Sequence, residues 1–79
     1  MFEEKDEGRE RRIREARART RAEETRRAML ELLRDGPLSS AEMRAKLAED
    51  ATLSVVNYHL SVLVSGGEVV NEGDLYRLA

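Results

Sequence analysis

Large apolar residues are sparse at the start of the chain and become periodic only further along. Between residues 9 and 22 the one large apolar side chain is Ile13, and Ala16 and Thr20 follow it on the same helical face. An amphipathic stripe comes next, made of Thr25, Met29, Leu32 and Leu33. No Gly or Pro interrupts residues 9–34, so the pattern predicts one helix that begins in solvent and ends in a core.

Turn and capping residues predict where the next helix begins and ends. Residues 35–37, Asp-Gly-Pro, stop the first helix, because Gly suits the left-handed C-terminal position and Pro cannot continue. Ser39 and Glu42 have the spacing of an S-x-x-E capping box, which predicts a second helix to about Ala48. We expect a short turn at residues 49–51.

A third helix is predicted from an N-cap at Thr52 to about Ser65, ahead of two glycines. Its inward face carries apolar residues at i, i+4 and i+7: Val56, Leu60 and Leu63. Three further apolar residues cannot all share that face, so some apolar surface should stay exposed: Val55, Val62 and Val64. We interpret the single histidine, His59, as a packed structural residue.

The last residues have the pattern of a β-hairpin. Two β-prone runs, 68–70 and 75–78, flank a turn at 71–74 that contains Asn and Gly. The element order predicts a mostly helical α+β fold, a winged helix-turn-helix with three helices, a hairpin wing and a long N-terminal helical extension. We divide the chain into a disordered acidic tail (1–8), an arginine-rich extension (9–23) and the winged domain (24–79).

Charge is distributed unevenly along the 79 residues, whose net formal charge is -2. Residues 9–27 carry nine arginines and four glutamates, which makes this block strongly basic. Residues 28–79 carry four basic and eight acidic groups, so the predicted domain is mildly acidic. The third helix lacks charge altogether, because residues 51–67 contain no Lys, Arg, Asp or Glu.

Composition excludes several classes of protein. The absence of cysteine removes disulfides and thiolate metal sites and fits a reducing cytoplasm. With one histidine, no glycine-rich phosphate loop and no convergent carboxylates, we expect neither an enzyme nor a metal or cofactor site. We expect neither a membrane span nor a secretory signal, because no apolar run is long enough for a span and the first eight residues are acidic. The preference for arginine over lysine is typical of a GC-rich bacterial genome.

Several segments resemble ArsR-type winged-helix regulators. Residues 29–39, MLELLRDGPLS, resemble that family's first helix and turn, and residues 54–63, SVVNYHLSVL, resemble its recognition helix with a His-Leu-x-x-Leu core. Residues 67–69 and 75–78 match its post-helix glycine and second wing strand, so the likeness covers about residues 25–78. The resemblance implies transcription repression by a homodimer.

The resemblance and the helix-turn-helix frame together predict the residues that face double-stranded DNA. The third helix supplies most of them, and the second helix supplies positioning contacts. The predicted DNA-binding residues are Ser40, Arg44, Thr52, Ser54, Val55, Asn57, Tyr58 and Ser61. An alternative hypothesis is a protein-interaction module in which the uncharged helix 52–65 docks an apolar partner, and the acidic wing turn favours it.

The arginine-rich extension has three interpretations. It is a solvated helix whose arginines pair with glutamates at i,i+4, or a source of phosphate contacts, or a surface that pairs with a second copy. For phosphate contacts the candidates are Arg11, Arg12, Arg17 and Arg19. For dimerisation they are Ile13, Ala16 and Thr20.

Overall fold

Three helices are followed by a hairpin in this computed structural model, which describes the backbone of residues 2–47 and 51–79 and side chains from residue 8 onward. The elements are α1 (Phe2–Leu33), α2 (Ser40–Lys46), α3 (Leu53–Ser65), β1 (Val69–Glu72) and β2 (Leu75–Leu78). The predicted end of the second helix at Ala48 and most of the predicted turn at 49–51 lie outside the described residues.

Helix α1 runs unbroken for 32 residues and sets the long axis of the molecule, whose extents are 54 × 24 × 18 Å. It begins at Phe2, so the backbone of residues 2–8, where the sequence predicts a disordered acidic tail, is drawn as helix. An acidic segment at a helix N-terminus is favoured by the helix dipole, which offsets the low helix propensity of Gly8. The end at Leu33, just before Gly36, agrees with the sequence prediction.

Reciprocal hydrogen bonds of a capping box start α2, as the sequence predicts. The backbone N–H of Glu42 donates to Ser39 Oγ at 3.1 Å, and the backbone N–H of Ser39 donates to Glu42 Oε1 at 3.0 Å. The second of these bonds, which favours the charged carboxylate, lowers the pKa of Glu42. The box fixes the first turn of α2, and the helix buries Met43 beneath it.

The core forms where α1, α2, α3 and β1 meet. Helix α3 begins at the predicted N-cap, where Thr52 Oγ1 accepts from the backbone N–H of Val55 at 3.2 Å. The buried apolar side chains are Met29, Leu33, Met43, Val56, Leu60, Leu63 and Val69. All three predicted inward residues of the third helix are among them, so that prediction is confirmed.

The hairpin is tighter than the sequence indicates. Strand β1 continues to Glu72, and the antiparallel register pairs Glu72 with Leu75 around a two-residue turn. Gly73 takes a positive φ of 63° there, as the first central residue of a II′ turn does. Leu38 adds a short bridge to the hairpin, exchanging two backbone hydrogen bonds with Tyr76 at 2.8 and 3.0 Å. This architecture is a winged helix-turn-helix with a long N-terminal helix.

Candidate nucleic-acid interface

The outward face of α3 carries a polar stripe opposite the core. Ser54, Asn57, Tyr58 and Ser61 follow one another at i, i+3, i+4 and i+7, and all four are exposed. Tyr58 projects furthest, with 63% of its surface exposed. Because the opposite face of α3 is buried, these side chains point away from the molecule.

Two predicted contact residues already use their hydroxyl groups inside the helix. Thr52 accepts the capping hydrogen bond, and Ser61 Oγ donates to the carbonyl oxygen of Asn57 at 3.2 Å. Within the described part of the chain, the side chains of Ser54, Asn57 and Tyr58 make no hydrogen bond. These three side chains therefore have their full hydrogen-bonding capacity left for a ligand.

The remaining predicted residues lie on α2 and on the flank of α3. Arg44, on α2, is exposed, whereas Ser40 is half-buried. Val55 is 43% exposed, and Val64 and Leu53 are also exposed large apolar side chains. Exposed apolar surface on α3 is thus confirmed. It flanks the polar stripe instead of replacing it.

An ion pair changes the charge pattern of the wing. Arg77 Nη2, on β2, lies 2.6 Å from Oε1 of Glu72, the last residue of β1. The hydrogen bond from Arg77 lowers the pKa of Glu72, and the same contact raises the pKa of Arg77. Arg77 therefore neutralises one acidic side chain of the wing, which the sequence of residues 71–74 alone does not show.

Every residue from 9 to 21 of α1 is exposed, and we call this segment the arginine rod. It holds the predicted phosphate contacts Arg11, Arg12, Arg17 and Arg19 and the predicted dimer residues Ile13, Ala16 and Thr20. Ile13 is 43% exposed, and the Thr20 hydroxyl donates to the Ala16 carbonyl at 2.9 Å.

Within the described residues, the arginines of the rod form no ion pairs. Within residues 8–47 and 51–79, the ion pairs are Arg34–Glu31 and Arg77–Glu72, and neither includes an arginine of the rod. The i,i+4 pairs that the sequence predicts there do not form, because exposed long side chains gain little from pairing in water. The guanidinium groups are consequently available to another anion.

A contact between α1 and α3 was not predicted from the sequence. Arg26 Nη1 lies 3.3 Å from Nδ1 of His59, which is only 6% exposed. Burial is the main cause that lowers the pKa of His59, and the positive charge of Arg26 adds to it. The interpretation of His59 as a packed residue is confirmed, and its partner on α1 is the new element.

A groove opens beside this contact, between α1 and the start of α3. It has a volume of about 460 Å³. From α1 its lining residues are Ala18, Arg21, Ala22 and Thr25. From the start of α3 they are Ala51, Thr52, Val55 and His59. We call it the α1–α3 groove. Half of its lining residues are alanine or valine, and Arg21 is the one arginine among them.

Metal sites and membrane spans are absent from the described residues. No group of three or more His, Cys, Asp or Glu side chains lies close enough together to hold a metal ion in that part of the chain. None of the helices described there has the length and apolar character needed to cross a membrane.

Comparison with known proteins defines the class of this chain. The sequence profile of a helix-turn-helix domain family matches residues 22–71, more than half of the chain. The chain therefore belongs to this helix-turn-helix domain family, in agreement with its fold. No curated protein and no solved structure matches the chain. The matched range begins at residue 22, in the second half of α1, and leaves the arginine rod outside it.

Proposed function

We propose that this protein binds double-stranded DNA sequence-specifically, as a small bacterial transcription repressor of the ArsR type in the cytoplasm. Helix α3 enters the major groove, where Ser54, Asn57 and Tyr58 contact base edges. Helix α2 positions the domain through Ser40 and Arg44, and the arginine rod supplies phosphate contacts. Val55 suits a thymine methyl group.

One observation carries this proposal. In a helix-turn-helix family member, the outward face of α3 presents an amide and two hydroxyl groups that bond nothing else in the described structure. An amide such as that of Asn57 pairs with adenine through two hydrogen bonds in the major groove. The inward face of the same helix is fixed by Val56, Leu60 and Leu63, so the outward face is held rigidly.

We further propose that the protein acts as a homodimer. A two-fold axis between two winged domains would be mirrored in a pseudo-palindromic site with half-sites about one helical turn apart. The exposed face of Ile13, Ala16 and Thr20 is the candidate contact between copies. This contact surface is narrow, because Ile13 is its one large apolar side chain. Binding of both domains to the same DNA would help to hold the two copies together.

A second candidate function is a protein-interaction module built on the same helix. The observation that favours it is the exposed apolar surface of Leu53, Val55 and Val64 on a helix without charge. A partner with an apolar groove would cover this surface and leave DNA without a role.

Selection of binding sites from a random duplex library separates the two functions. We expect an enriched, roughly symmetric motif that persists at near-physiological salt. Asn57→Ala should then weaken binding to the selected site by about 1–3 kcal/mol, roughly fivefold to 150-fold, and relax preference at one base pair. Ser65→Ala, at the far end of α3, is the control and should bind as the unmodified chain does. Absence of any motif would favour the protein-interaction module.

A further inference from the structure

The contact and the groove residues follow the same order along α1 and α3. Arg26 meets His59, while residues earlier in α1, Ala18 and Arg21, line the groove with Thr52 at the start of α3. The part of α1 that precedes Ala18 therefore extends past the first turn of α3. At 1.5 Å per residue this overhang is roughly 24 Å long.

Only some arginines of the rod lie on the side of α1 that faces α3. Ala18 and Arg21 mark that side because both line the groove. Arg14 lies four residues before Ala18 and seven before Arg21, which places it on the same helical face. Arg11, seven residues before Ala18, shares this face but lies about one turn further from the groove. Arg12 and Arg19 are six and one residues from Ala18, so they lie on a different face.

We propose that Arg14 and Arg21 form a clamp on one DNA phosphate strand, next to the major groove that α3 occupies. This inference rests on the proposed function and adds to it the side of the rod that touches DNA. The occupant of the α1–α3 groove is then a sugar-phosphate backbone that passes between Arg21 and Thr52.

The shape of the groove supports this occupant. Ala18, Ala22 and Ala51 have no side-chain atoms beyond Cβ, so they leave room for a sugar to approach both helices. The charge pattern supports it as well. Helix α3 has no cation of its own, and phosphate neutralisation dominates the affinity of DNA-binding proteins. Arg21 is the cation that lines the groove together with Thr52 and Val55.

Two double variants with identical charge test the clamp. R14Q/R21Q removes the arginines on the groove side, and R12Q/R19Q removes two arginines from a different face at the same seven-residue spacing. Glutamine has nearly the helix propensity of arginine, so neither variant should disturb α1, which circular dichroism would verify. Affinity is measured for the full-length chain on a mixed-sequence duplex and on a duplex carrying the selected motif, between about 50 and 200 mM salt.

The clamp predicts unequal results for the two variants. R14Q/R21Q should reduce the slope of log affinity against log salt by about 2 and weaken both duplexes about equally. The factor by which R14Q/R21Q weakens binding should shrink roughly tenfold from low to high salt, since the variant releases fewer counterions than the unmodified chain. R12Q/R19Q alters two of the four phosphate contacts predicted from the sequence. It should nevertheless keep nearly the full slope, because the clamp leaves both arginines on a face turned away from the phosphate strand.

An equal reduction of affinity and of the salt slope in both variants would overturn the clamp. It would leave the proposed function standing, because the rod would then act through its overall charge. Failure of the unmodified chain to bind either duplex would overturn the proposed function together with the clamp. Weakening of the selected duplex alone would also contradict the clamp, since phosphate contacts carry no sequence information.

Discussion

The two halves of helix α1 are continuous in backbone and opposite in environment. In the second half Met29 is fully buried and Leu33 nearly so, while every residue of the arginine rod is exposed. The family match divides the helix close to the same place, because it begins at residue 22. One half therefore builds the domain, and the other presents charge beyond it.

The difference shows how a single helix serves two purposes. Burial of an apolar stripe ties the second half to α2 and α3, so its residues are constrained by packing. The rod has no such contacts, and a helix of this length alone in water is marginal. The rod keeps its helical form by continuing a helix that the core already holds.

The largest expected effect comes from a buried residue of the second half. Met29→Ala should lower the free energy of unfolding by about 2–5 kcal/mol, because it leaves a cavity between α1 and the other helices. Urea denaturation measures the loss. The matched change in the rod, Ile13→Ala, should alter stability by less than about 0.5 kcal/mol. A comparable loss at Ile13 would mean that the rod is packed in solution.

Replacing one alanine by glycine in each half of α1 should have a smaller effect on stability. Ala28→Gly should lower the free energy of unfolding by about 1 kcal/mol, since the exposed Ala28 lies in a turn that unfolds with the core. Ala16→Gly should leave the global transition unchanged and reduce only the helical circular dichroism signal, because the rod opens locally. If both substitutions shifted the unfolding midpoint equally, the two halves would form one cooperative unit.

The smallest expected effect is a pH dependence at the junction of the two halves. The pKa of His59 is lowered in the folded state, so the unfolded chain, with a pKa near 6.5, binds the proton first. The contribution of neutral His59 is therefore present above about pH 6.5 and is lost as the pH falls toward the folded pKa. Arg26 opposes the added charge from α1.

Urea midpoints measured from about pH 7.5 down to about pH 5.5 would report this loss, because the carboxylates titrate lower. His59→Asn is the control and should flatten the dependence over that interval. A dependence that survives the substitution would assign the effect to another group.

Local signals in the sequence were sufficient for most of the fold. The capping box at Ser39, the N-cap at Thr52 and the stop at Gly36 are short-range features, and each helix boundary that depends on them is where the pattern predicts. The inward face of α3 follows from helical periodicity alone. The start of α1 at Phe2 was missed, because an acidic composition favours disorder and a helix N-terminus equally.

Contacts between distant residues could not be derived in the same way. The bridge between Leu38 and Tyr76 and the contact between Arg26 and His59 join residues more than thirty positions apart. No periodicity encodes such partners, since they depend on how the helices pack. The α1–α3 groove also depends on how the helices pack. The sequence alone therefore could not single out Arg14 and Arg21 among the arginines of the rod.

Backbone amide chemical shifts followed during titration with the selected duplex test the central claim most directly. The account predicts the largest changes at Ser54, Asn57 and Tyr58 on α3, with a second set at Arg14 and Arg21, and little change along α1 at Arg12 and Arg19. Changes confined to the rod would show that DNA is held by charge alone, and would contradict recognition by α3.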